Sequence, residues 1–83
     1  MPYIKPDLRD ELNDDMARLP ETPGELNFVI TSIINGYRHS QGLSYQTIND
    51  IVGALECAKL EFVRRIVNPY ENAKMAENGD VYT

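Results

Sequence analysis

Three cations and an aromatic ring crowd one stretch of the chain: Lys59, Arg64, Arg65 and Tyr70. An arginine fork binds phosphate or carboxylate through parallel hydrogen bonds, and a tyrosine ring beside it offers a stacking face. Together they suit a small anionic ligand of the nucleotide type. Tyr45 supplies a second ring on the same predicted helix, and Glu56, one turn before Lys59, is placed to pair with it. These six residues are the candidate ligand-binding set.

Each has a purely structural account as well. Lys59 can lay its methylenes along an apolar face and keep its ammonium at the edge, or pair with Glu56. Arg64 and Arg65 can oppose the negative end of a helix dipole, and His39, near another predicted helix end, is read as a helix-end cation. Asp14-Asp15 is too local and too exposed for paired-carboxylate chemistry. The sequence holds no nucleophile motif, phosphate-binding glycine loop or metal-ligand spacing. No catalytic residue, metal or cofactor is assigned, and the chain is read as a non-enzyme.

The element that must carry the cations spans 44–67. It holds no proline and repeats Ile48, Ile51, Val52, Leu55, Ala58, Phe62, Val63 and Ile66 at helical spacing. At about 100° per residue these fall in an arc roughly 140° wide, the pattern of a helix packed on one side. Lys59 interrupts that arc. Ser44 is the expected N-cap, and Asn68-Pro69 is expected to stop the helix. Gly53, outside the arc, leaves room for close approach by a helix or ligand, or is tolerated flexibility.

A second helix is expected over 23–40. Thr22-Pro23-Gly24-Glu25 reads as a capping box, Leu26, Val29, Ile30, Ile33, Ile34 and Tyr37 make its buried face, and Gly42 stops it. Phe28 points to the polar side, where an aromatic suggests a subunit contact. The short connection from this helix to the 44–67 helix predicts an antiparallel hairpin. Before it, a helix over 6–19 opens on Pro6 with Asp7, Asp10 and Glu11 in its first turns, and carries a narrow stripe of Leu8, Leu12, Met16 and Leu19. After it, Asn68-Pro69-Tyr70-Glu71 reads as a further cap for a short helix over 69–77, with a tail over 78–83. Tyr3 in the N-terminal arm and Tyr82 in the tail join Phe28 as expected interface residues.

Eighty-three residues make one domain, 1–83, with little surface to bury and no disulfide, since Cys57 is the only cysteine. A homo-oligomer is therefore expected. No run approaches the length of a membrane span and the N-terminus is no signal peptide, so a soluble cytoplasmic protein without membrane contact is expected. Net charge is −5, against general nucleic-acid binding. The charge is uneven: residues 1–25 carry seven acids and three bases, residues 26–67 three acids and four bases.

PYIK near the start, GELNFVIT at 24–31, GLSYQTIN at 42–49, GALECAKLEFVRRIVNPYE at 53–71 and the closing ENGDVY resemble a group of short uncharacterised proteins of bacteria and their phages. The resemblance implies no catalytic residue. Its phage association implies a comparison with small helical counter-defence proteins, some of which are oligomers that trap nucleotide signals between subunits; that comparison is one of size and layout, not of motif.

The expected fold is all-α: an antiparallel hairpin braced by a short N-terminal and a short C-terminal helix, and oligomeric. Two functions follow. One is a non-catalytic protein that sequesters a small anionic ligand, as a counter-defence sponge would. The other is a protein-interaction module or inhibitor that binds a host or phage protein without a small ligand.

Overall fold

The computed structural model describes residues 2–13 and 18–82. All regular structure among them is helical: α1, Pro6–Asn13; α2, Pro23–Gln41; α3, Tyr45–Phe62; a π-helical turn, Val63–Val67; and α4, Asn68–Asn78. The starts of α2 and α3 are set locally. Thr22 and Ser44 are in extended conformation, and each accepts the amide three residues on, from Glu25 and Thr47, at 3.1 Å. Both bonds satisfy amides that the first helical turn leaves without a partner. The Glu25 carboxylate reaches back to the Glu21 amide (3.0 Å), one residue beyond a capping box, and also takes Arg18 at 2.9 Å. Gly42 ends α2 at φ +82°, its amide donating to the Arg38 carbonyl, in a region of backbone space that glycine enters without a Cβ clash.

Proline acts differently from expectation at Asn68-Pro69. Asn68 is helical (φ −61°, ψ −48°), caps nothing with its side chain, and donates its amide to the Val63 carbonyl five residues back. A proline lacks the amide for the usual bond, and its ring crowds the carbonyl four residues earlier, here that of Arg65. One widened π turn absorbs both problems, so the helix passes the proline instead of stopping. α3, the π turn and α4 make one rod over residues 45–78. Thirty-four residues at about 1.5 Å each give about 50 Å, matching the 49 Å long dimension of the molecule.

α1 is shorter than the spacing implies. It ends at Asn13 among the described residues, and Arg18 to Pro20 are outside any helix, so Leu19 is not part of a helical stripe. Asp14, Asp15 and Met16 lie outside the described residues.

Packing is the larger departure. Neither α1 nor α4 packs against α2 or α3 among the described residues, so the expected bracing of the other two helices is not there. α2 and α3 touch, and the Tyr37 hydroxyl donates to Asp50 at 3.0 Å. Among the described residues only Thr47 is buried; Val29, Ile34 and Ile51 are partly covered, and the other large apolar side chains of α2 and α3 are exposed. The chain exposes 7517 Å², where a folded monomer of 9.4 kDa exposes about 5,000 Å². Its radius of gyration is 16.7 Å, against about 12 Å for a compact chain of this length. The helices are in place, and the surface they were built to bury is open.

Candidate functional site

The six residues proposed from sequence are strung along the rod. From Tyr45 to Tyr70 is 25 residues, about 35 Å of helix, so the two rings cannot hold one small ligand within a single chain. Lys59 pairs with Glu56 at 3.2 Å, and its side chain is 65 % exposed. It neither snorkels over a covered core nor projects into a cleft. The reason is the open face itself: with the apolar arc uncovered, the ammonium is in water wherever the stem lies.

Arg64 is tied to Glu61 three residues earlier, and the Tyr3 hydroxyl donates to the same carboxylate at 2.6 Å. This small cluster joins the N-terminal arm to the rod across 58 positions of sequence. The Arg64 guanidinium, helped by the Tyr3 hydroxyl, holds the Glu61 carboxyl below its ordinary range. Glu61 and Tyr3 were not foreseen as partners; their spacing along the chain offers no sign of the contact. Because the helix runs on past Val67, Arg64 and Arg65 do not sit at a helix end, and the dipole account of them fails. Arg65 has no ion pair among the described residues. Lys74 lies over the Tyr70 ring, 5.6 Å from its centroid, within cation–π range. Glu56 with Lys59 and Glu61 with Arg64 are therefore two ion pairs already neutralised along the rod.

The concave feature is elsewhere. α2 and α3 enclose a groove of about 310 Å³ lined by Ile30, Ile33, Ile34, Ile51, Ala54 and Leu55, closed at one end by Tyr37 and Asp50. Its polar content is that single hydrogen bond, in which the Asp50 carboxylate raises the Tyr37 hydroxyl's pKa above the usual phenol range. Gln46 donates to the other Asp50 oxygen at 2.8 Å. Periodicity names Ile30, Ile33, Ile34, Ile51 and Leu55 of this groove; it does not name Ala54, or Asp50, which looks like any solvated helix acid. An apolar cleft with one polar end cannot neutralise an anion, but it fits the flank of an amphipathic helix.

Of the expected interface residues, Phe28 is 63 % exposed and Tyr82 87 % exposed, while Tyr3 is engaged with Glu61. Phe28 borders a hollow with Arg18, Pro20 and Val29, and Tyr82 lies in a shallow cleft formed by the tail along α4. A Cβ at Gly53 would meet nothing within 4 Å, so no close approach in the chain requires that glycine. His39 stands beside Arg38, which contacts its ring at 3.1 Å and also bonds Asn35. No group of three or more metal-ligating side chains occurs among the described residues, and no helix of the structure is long and apolar enough to cross a membrane.

Among the described residues the chain is thus helical, with an apolar cleft between α2 and α3. A family model described as Domain of unknown function (DUF6899) matches residues 1–81, and the chain belongs to that family. No curated protein and no solved structure matches it.

Proposed function

We propose that the protein is a non-catalytic interaction module of the cytoplasm, in which α2 and α3 form an antiparallel hairpin whose groove takes up a helical polypeptide surface. The observation that supports this reading is the chemistry of the groove: six apolar side chains, one polar end at Tyr37–Asp50, and an open mouth. Helix-in-groove recognition uses such a surface, with apolar anchors giving affinity and a few polar groups fixing register. The exposed, free Cys57 fits a reducing compartment. A photoreactive benzophenone side chain placed at Ile33 and activated in the producing cell should join the chain to a polypeptide of defined mass. Reaction with solvent alone, at a site that remains folded, would remove the proposal.

A second reading keeps a small anionic ligand on the rod, in a counter-defence protein of bacterial or phage origin. It is favoured by Arg65, whose charge is not spent on an ion pair among the described residues, and by Lys74 above the Tyr70 ring. Lys59 and Arg64 would have to exchange Glu56 and Glu61 for the ligand, and Tyr45 would have to come from another subunit. A nucleotide that raises the melting temperature of the parent, and not of Arg65→Ala, supports it; a broad nucleotide panel without any shift removes it.

A further inference from the structure

The face left open in this structure is larger than a docking groove needs. The excess over a compact monomer is about 2,500 Å² per chain. It is spread over both principal helices and includes Leu26, Ile33, Val52, Phe62 and Ile66, each more than half exposed. A surface of that size is not a patch that a transient partner visits, because without it the chain has no core at all.

We infer that a second copy of this chain covers the groove and the apolar flank of the rod beyond it, so that the folded state exists only as a self-assembled one. This rests on the reading of the groove as a polypeptide-binding surface and names the occupant. Three observations carry it.

The first is area. Two chains that each bury about 2,500 Å² would share about 5,000 Å², the upper part of the range for obligate homodimers, whose interfaces resemble a domain core cut in half. The second is length. α2 has 19 residues, about 28 Å, beside a rod of about 50 Å. Some 20 Å of rod therefore projects past its neighbour, and among the described residues the backbone of α4 approaches only the π turn. Ile51, Leu55, Phe62 and Ile66 keep one side along this rod, so the stripe that lines the groove continues onto the overhang. A second rod laid against the first covers an overhang that neither α1 nor α2 approaches among the described residues.

The third is charge. The acidic excess lies in residues 1–25, whereas residues 26–67 balance four bases against three acids. Along the rod two pairs are already matched within the chain, Glu56 with Lys59 and Glu61 with Arg64. An isologous contact brings each surface against itself, and a surface of one sign would repel its own copy. This face is apolar and close to neutral, so self-contact meets no such barrier.

The test is a dilution series of the purified full-length chain, followed together by sedimentation and by helix circular dichroism. The inference expects twice the chain mass or a higher multiple, with dissociation and loss of helix occurring together. A hundredfold dilution should lower the melting temperature by about 5–10 °C. Phe62→Glu should raise the dissociation constant at least a hundredfold, while Asn49→Glu, on the polar side of α3, leaves it within threefold. A monomer that keeps full helix, with a melting point independent of concentration, overturns the inference. So does a chain that stays unfolded at every concentration and folds only with a different protein. In that case the benzophenone at position 33 still yields a cross-link, to a foreign polypeptide, and the interaction-module reading survives without the second copy.

Discussion

The turn region between α2 and α3 and the region around Asn68 carry similar sequence signals and reach opposite outcomes. At Gly42 to Thr47 the chain stops one helix and starts another: glycine at positive φ, then an extended serine whose hydroxyl holds the third amide. At Asn68-Pro69-Tyr70-Glu71 an equally good cap signature produces no cap, and the helix goes on through a π turn. The difference lies in what precedes each. Gly42 lets the backbone reverse at no steric cost. No glycine precedes Asn68; Phe62 to Val67 are already helical and pass that geometry on. A proline at the first position of a new helix and a proline inside a continuous one make the same demand, that the turn before it supply no bond to its nitrogen. The π turn meets that demand without an interruption.

The two regions also differ in cover. The α2–α3 side has a groove with a defined polar end, whereas among the described residues α4 packs on no other α-helix. The largest effect should therefore come from the groove. Leu55→Glu places a charge on a surface that is 42 % exposed in the single chain. If that surface stayed open to water the cost would be below about 1 kcal/mol, but if it is covered the cost should exceed about 3 kcal/mol. Chemical denaturation at fixed chain concentration separates the two, and the larger value is expected.

Pro69→Ala comes next, because it removes the cause of the π turn. The helix should recover an ordinary bond to the Arg65 carbonyl and gain on the order of 1 kcal/mol. Slower amide exchange through residues 63–70 would show it; unchanged exchange would mean that something other than the proline holds the turn open.

The caps give a sharper, smaller contrast. Ser44→Ala should cost about 1 kcal/mol and Asn68→Ala nearly nothing, since Ser44 holds the Thr47 amide and Asn68 holds none. Equal losses at the two positions would erase the distinction drawn between these regions.

The smallest effects are those of pH. The folded-state pKa of Glu61 is lowered by Arg64 and Tyr3. Its contribution is present above the ordinary carboxylate range and disappears as the pH falls through the lowered value, freeing the N-terminal arm. The Tyr37 pKa is raised by Asp50, so its bond is intact below the usual phenol pKa and is lost as the pH rises through the raised one. Tyr37 is exposed and Glu61 only partly covered, so small shifts are expected, read as local chemical-shift changes at Tyr3 and Tyr37. Tyr3→Phe should weaken the acid-side change, and Asp50→Asn the alkaline one.

Helix identity was legible wherever a local rule acted alone: Thr22 and Ser44 as caps, Pro6 and Pro23 at first positions, Gly42 as a stop. All the apolar residues of the groove but Ala54 were legible from their spacing. A cap motif describes four residues, whereas the outcome at Asn68 belongs to the helix arriving from Phe62. Lys59 interrupts an apolar arc, and the spacing of that arc does not say whether another surface covers it. The Tyr3–Glu61–Arg64 tie could not be read at all, for it joins positions 58 apart through side chains with no periodic relation.

By itself, then, the sequence determined which segments are helical, where α2 and α3 begin, and which side of each is apolar, because hydrogen bonds to nearby amides and a 3.6-residue repeat are local properties. Only the tertiary structure decided that the rod passes Pro69, that α1 and α4 brace nothing among the described residues, and that the apolar sides of α2 and α3 meet in an open groove. Those outcomes depend on which surfaces come together in space, and burial is a property of pairs of surfaces that no single stretch of residues carries.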